Sequence, residues 1–225
     1  MMTQEMMELI EAAGRRGWMM EPAAKRLLEL AGCPVPRYAV ARSREEAGKA
    51  AREIGYPVIA KVVSPTIVHK SDVHGVELGI AGDDELLTAF DRLFALPDCQ
   101  EVLIEESLRG TELIIGAVMD DQFGPMVMLG IGGTAVEVYH DVALRMAPLK
   151  EGDVQAMATS LKARKLIEGF RGQAPIDMEA LAACLLRFSL LVMDLEPYIA
   201  SADLNPVFCS SKGCTIADAR FIMKN

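Results

Sequence analysis

Residues 57–80 read Pro57-Val58-Ile59-Ala60-Lys61-Val62-Val63-Ser64-Pro65-Thr66-Ile67-Val68-His69-Lys70-Ser71-Asp72-Val73-His74-Gly75-Val76-Glu77-Leu78-Gly79-Ile80. The apolar, β-branched run Val58 to Val63 predicts a strand with a single charge, Lys61, in its middle. Val76 to Ile80 predicts a second strand. The loop between them carries His69, Lys70, Ser71 and Asp72. Neutral imidazole is nucleophilic near neutral pH and can accept a phosphoryl group; a neighbouring ammonium offsets the incoming charge. Asp72 could orient the ring. The same residues also fit an ordinary surface loop. A lysine in so apolar a strand must either reach the surface or meet an anion, and the sequence leaves both open.

Outward from this stretch, the pattern alternates. Thr3 to Gly14 and Glu21 to Ala31 predict helices, the second with Pro22 in its first turn and Ala24, Leu27, Leu28 and Ala31 at helical spacing. Val35 to Val40 predicts a strand. Ser43, with Glu46 three residues on, opens a helix that Gly55 ends. Asp83 or Asp84 caps another through Ala95. The first part is thus a small α/β unit, 1–99, containing the loop 64–75. The second, 100–225, predicts strands at Glu101–Glu106, Thr111–Met119, Met126–Gly130, Thr134–Val138 and Val142–Pro148. Helices follow at Glu151–Glu168 and Asp177–Leu195, then strands at Ala200–Val207 and Thr215–Ala219. Short connections favour antiparallel hairpins. The fold class is α+β.

Composition narrows the function. A net charge of −9 over 225 residues argues against a broad nucleic-acid surface. The longest apolar stretch, Leu185 to Leu195, is broken by Arg187, Ser189 and Asp194 and is too short to span a bilayer. The start lacks a secretory pattern, so a cytoplasmic protein is expected. Five scattered cysteines predict reduced thiols rather than a zinc site.

Three further clusters could carry chemistry. Gly130-Ile131-Gly132-Gly133-Thr134 would let backbone N–H groups approach phosphate, or would simply form a tight turn. Arg145, among apolar neighbours, fits a phosphate or carboxylate clamp. Asp203-Leu204-Asn205-Pro206 places Asp203 and Asn205 on one face of a strand, and Asp218 follows on the next. Converging oxygen ligands suit Mg²⁺; solvated acidic strand ends are the plainer alternative.

The strand lysine, His-Lys-Ser-Asp-Val-x-Gly-Val, the glutamates of 101–112, Gly132-Gly133, Arg145 and Asp-x-Asn-Pro together resemble the ATP-grasp subunit of NDP-forming (ADP-forming) acyl-CoA synthetases. These are relatives of succinyl-CoA synthetase, and the likeness runs from about Glu21 to Ile222. It implies an ATP-grasp fold, two α/β lobes clamping ATP or ADP. Lys61 would contact phosphates, and Glu105-Glu106-Ser107-Leu108 would be a hinge facing adenine through its backbone. Glu112 would bind ribose, Gly132 and Gly133 would line the nucleotide, and Asp203, Asn205 and Asp218 would hold Mg²⁺. His69 would carry the phosphoryl group, assisted by Lys70 and Arg145. Coenzyme A would belong to a separate α subunit, in a hetero-oligomer. An ATP-grasp ligase forming acyl phosphate directly, or a nucleotide-binding regulatory subunit without catalysis, are the alternatives. The family usually has Gly-Gly after Asp-Val; here it is His74-Gly75.

Overall fold

A computed structural model describes residues 2–133 and 141–224; the strand expected at Thr134–Val138 lies outside them. In chain order the elements begin with α1 (Gln4–Gly14), β1 (Trp18–Met19), α2 (Glu21–Leu30), β2 (Tyr38–Ala41) and α3 (Arg44–Ile54). Then come β3 (Val58–Val63), β4 (Val76–Ile80), α4 (Asp83–Phe94), β5 (Glu101–Glu106), β6 (Thr111–Asp120), β7 (Gly124–Ile131) and β8 (Val142–Met146). The last are α5 (Glu151–Ser160), α6 (Lys165–Glu168), α7 (Met178–Leu195), β9 (Ile199–Ser210), β10 (Gly213–Ile216) and β11 (Ala219–Met223).

Two compact units result, Pro36–Leu108 and Met1–Val35 joined with Arg109–Asn225. The smaller has a four-stranded antiparallel sheet in the order β2-β5-β3-β4. Val58, Ala60 and Val62 of β3, with Val102 and Ile104 of β5, pack into a core with Ala47 and Ala51 of α3 and Leu86 and Phe90 of α4. Alternation sends Lys61 and its register partner Leu103 to the other face. Ser43 caps α3 by accepting the Glu46 N–H at 3.2 Å. The Glu46 carboxylate accepts the N–H of Arg42.

The larger unit has a seven-stranded sheet in the order β1-β11-β9-β6-β7-β8, with β10 pairing the second half of β9. One face carries Leu113, Ile115, Val127, Leu129 and Leu204, which pack with Leu27 and Leu28 of α2 and Leu185, Phe188 and Val192 of α7. Each such side chain contributes roughly 1.5–3 kcal/mol on full burial.

The division differs from 1–99 and 100–225 for a topological reason. β5 belongs to the smaller sheet, and β1 pairs with β11 (Trp18↔Ile222, Met19↔Phe221), which ties the first 35 residues to the larger unit. The single helix expected over Glu151–Glu168 is two, α5 and α6. Leu161 turns extended, and the Asp141 carboxylate accepts the N–H groups of Lys162 and Ala163, both at 2.8 Å. The closing strand expected at Thr215–Ala219 is likewise two, β10 and β11, linked through Ala217 and Asp218. Among the described residues no helix is long and apolar enough to cross a membrane.

The cysteine expectation holds for three residues only. Cys33, Cys99 and Cys184 are free, and burial pushes the Cys33 and Cys184 thiols up to about 12. Cys209 and Cys214 are joined in a disulfide, because the β9–β10 hairpin sets them directly opposite each other. Alkylation in denaturant without reductant is therefore expected to modify three cysteines per chain, and all five after reduction. Five without reduction would show the pair open.

Candidate functional site

In the smaller unit, the question left by Lys61 is answered by an anion. Its Nζ lies 2.7 Å from Glu105 Oε1, with the two side chains 6% and 1% exposed. Register brings the two within reach: Lys61 opposes Leu103, so Glu105, two residues on, shares its face one step along. Much of the expected hinge is already engaged. Glu106 Oε2 accepts from Arg37 Nε at 2.8 Å, its own N–H donates to Arg37 O, and the Ser107 N–H donates to Pro57 O. Leu108 is half-buried and is the last residue of this unit.

The loop from Ser64 to Gly75 is held at both roots. At the first, Ser64 Oγ donates to Pro97 O at 2.9 Å and Thr66 Oγ1 donates to Asp98 at 3.0 Å. At the second, Gly75 N–H donates to Lys70 O, Val62 N–H donates to Gly75 O, and Arg92 Nη1 donates to His74 O at 2.6 Å. Between the roots, Lys70–Val73 form one 3₁₀ turn, with His69 exposed at its start.

His74 sits in the left-handed region (φ 51°, ψ 38°). Glycine enters that region without a Cβ penalty, and histidine there costs about 1 kcal/mol. Gly75 is constrained differently: a Cβ would lie 2.6 Å from Val62 Cγ1 and 2.9 Å from Lys70 O. Gly75→Ala is expected to destabilise the smaller unit by about 1–3 kcal/mol through overpacking at the loop root, read as a shift in denaturant midpoint. An unchanged midpoint would mean that Val62 and the turn give way freely.

In the larger unit, faces decide which residues meet. Asp203 opposes Gly116 on one side and Arg220 on the other; Gly116 opposes Met128, and Met128 opposes Leu144. These residues share the face opposite the helix-packed core. Against β6, the register of β9 runs Leu113↔Val207 and then Ile115↔Leu204, so Asn205 and Pro206 bulge opposite Ile114. Asn205 N–H donates to Asp218 O at 3.1 Å. Asp218 lies in the link just before β11, between buried Ala217 and Ala219. Asp203 and Asn205 thus share one sheet face, and Asp218 is tied to Asn205 through its backbone carbonyl.

Glu112 and the glycine loop also meet. Gly132 N–H donates to Glu112 O at 2.7 Å, and a Cβ on Gly132 would lie 2.9 Å from the Glu112 carbonyl carbon. Only glycine fits that approach. Gly133 takes φ 77°, and Thr134 lies outside the described residues. Arg145 stands apart: it opposes buried Val127, on the face away from Asp203, and its exposed side chain donates Nη1 to Leu144 O at 2.8 Å. A clamp acting beside the Asp203 cluster is not what this register provides.

Two carboxylates and one amide oxygen fit Mg²⁺, which commonly takes one or two carboxylates and completes its shell with water and phosphate oxygens. Among the described residues no group of three or more His, Cys, Asp or Glu could hold a metal. Two site features escaped sequence reasoning. One is Arg220, whose Nη2 lies 3.6 Å from Asp203; period-two spacing from Asp218 would have put it on that face. The other is the Glu105 side chain as the partner of Lys61, one of the two outcomes that the apolar setting of that lysine left open.

The buried strand lysine and the exposed histidine loop of the smaller unit, and the Asp203–Asn205 face of the larger, are the features from which the resemblance to the ATP-grasp class was read. The sequence model for the ATP-grasp domain matches residues 11–223. The β subunit of ADP-forming acetate–CoA ligase I from Pyrococcus furiosus is 41% identical, over 98% of this chain and 97% of its own. Dinucleotide-forming acetyl-coenzyme A synthetase 1 of Ca. Korarchaeum cryptofilum, solved with coenzyme A and Ca-AMPCP, superposes with a TM-score of 0.90 at 40% identity, covering 96% of this chain and 99% of that one. A second structure of that enzyme holds coenzyme A and Mg-AMPPCP, with its phosphohistidine segment pointing towards the nucleotide binding site. It gives a TM-score of 0.86 at 39% identity over 97% and 100% of the chains. This chain belongs to the ATP-grasp family, among the β subunits of ADP-forming acetate–CoA ligases. The resemblance read from the histidine and Asp-x-Asn-Pro motifs is borne out.

Proposed function

We propose that this chain performs the nucleotide half of the reaction acyl-CoA + ADP + phosphate ⇌ carboxylic acid + CoA + ATP, with a CoA-binding α subunit as its partner. His69 is the phosphoryl carrier. Towards ATP, an oxygen of the ADP β-phosphate attacks phosphorus on phosphorylated His69; the P–O bond forms as the P–N bond breaks, and the bonding pair returns to the ring. In the other direction the imidazole nitrogen attacks the γ-phosphorus and ADP leaves. Lys61 binds the nucleotide phosphates, its bearing set by Glu105, while Lys70 offsets phosphoryl charge beside His69. Asp203, Asn205 and Asp218 would hold Mg²⁺. When bound, that ion neutralises charge on the phosphate oxygens.

The observation that carries this reading is the placement of His69, exposed at the start of a turn whose two roots are fixed, with Lys61 on the strand leading into that loop. Incubation of the purified chain with γ-labelled ATP and Mg²⁺ tests it. The expected product is a phosphoprotein whose label is lost in acid, survives base and maps to the peptide containing His69. An unlabelled protein, or an acid-stable label on another residue, removes the carrier role and favours direct acyl phosphate formation or a non-catalytic subunit.

A further inference from the structure

Lys25 on α2 has no exposed surface, and its position among the largest fully buried side chains makes it a costly place for a charge. Its Nζ lies 3.4 Å from Glu21 Oε1, one helical turn back, and donates to Ala217 O at 2.7 Å. Replacing such a buried pair with apolar residues of similar volume is often neutral or stabilising, so stability alone accounts poorly for its presence. What the pair holds is more telling. Ala217 lies in the two-residue link between β10 and β11, immediately before Asp218. The link is tied from its other side by Ala217 N–H donating to Pro206 O at 3.0 Å and by Asn205 N–H donating to Asp218 O at 3.1 Å. Ala219 N–H donates to Asp218 Oδ1 at 2.8 Å. The short segment carrying one proposed magnesium ligand is therefore stitched to the bulge carrying another, and Lys25 anchors it from the core.

We propose that Lys25, neutralised by Glu21, is a positioning residue for the magnesium–nucleotide site: its charge-assisted hydrogen bond fixes the Ala217 carbonyl and thereby the bearing of the Asp218 carboxylate. The inference rests on the reading of Asp218 as a ligand. Groups that orient metal ligands from behind typically change metal affinity by about 10–100-fold when lost. A salt bridge that only supports the fold would move the unfolding midpoint and nothing else.

The test measures ADP affinity calorimetrically, with excess Mg²⁺ and with EDTA, on the purified full chain. The ratio of the two affinities is the magnesium-dependent gain. A double variant, Glu21→Leu with Lys25→Met, removes both charges of the pair and is expected to unfold near the wild-type midpoint. Its EDTA affinity should be unchanged and its gain about 10-fold smaller. Lys25→Gln ends one bond short of Ala217 and removes the cation beside buried Glu21, so it should unfold at a lower midpoint and, where folded, lower the gain in the same sense. Asp218→Asn is the control and should lose the gain. If it does so while both Lys25 variants keep the wild-type gain, Lys25 has no positioning role. If Asp218→Asn keeps the gain, the ligand reading itself fails and the inference goes with it.

Discussion

His69→Ala is expected to abolish phosphoryl labelling by γ-labelled ATP, a loss on the order of 10⁴-fold or more, while ADP affinity changes by less than about twofold. The first part follows from removing the only proposed nucleophile: alanine offers no atom on which the phosphoryl group could rest. The second follows from the loop's construction. Ser64, Thr66, Gly75 and Arg92 hold its roots, and the His69 side chain makes no capping bond to the turn it opens. Lys61 lies on β3, ahead of those roots, and keeps its partner Glu105. A phosphohistidine that persists in His69→Ala and moves to the peptide of His74 would transfer the carrier role to that residue. A large fall in ADP affinity would show instead that the loop is part of the resting nucleotide site.

Glu105→Ala is expected to destabilise the smaller unit by about 3–5 kcal/mol, because it removes a carboxylate paired with a buried ammonium. Denaturant unfolding would show it as a lowered midpoint. The companion double variant, Lys61→Met with Glu105→Leu, removes both charges and should return to the wild-type midpoint or exceed it. That well-folded protein then separates stability from binding. It should bind ADP at least about 10-fold more weakly, since the proposed charge-assisted contact from Lys61 to phosphate would be gone. Wild-type affinity in the double variant would leave Lys61 with no nucleotide role. A Glu105→Ala protein as stable as wild type would mean that water or another group reaches Lys61.

The sequence revealed those parts of the site that depend on local order. The apolar, β-branched run Val58 to Val63 marked β3 and left Lys61 as the misfit charge, and the histidine loop was bounded by strands that form where expected. Period two put Asp203 and Asn205 on one face. What stayed hidden depends on pairing between distant segments. Arg145 resembles a clamp in its own strand, but its register against Val127 turns it to the other face. The opposition of Cys209 and Cys214 needed the two-residue turn to be known exactly in length and register, and Lys25 reaches across 192 residues to Ala217. The break in the helix expected over 151–168 came from Asp141, which local periodicity does not see.

The discontinuous larger unit gives the two halves of the chemistry different birth times. Everything the smaller unit pairs with lies within Pro36–Leu108, so its sheet can close as soon as that segment has emerged during synthesis. β1 must instead wait for β11, since Met19 pairs with Phe221, 202 positions later (221 − 19). At about 5–20 residues per second that wait is roughly 10–40 s. The loop of His69, the proposed carrier, therefore acquires its scaffold early in translation, and the apolar face of α2, with its buried lysine, is among the last surfaces to find cover.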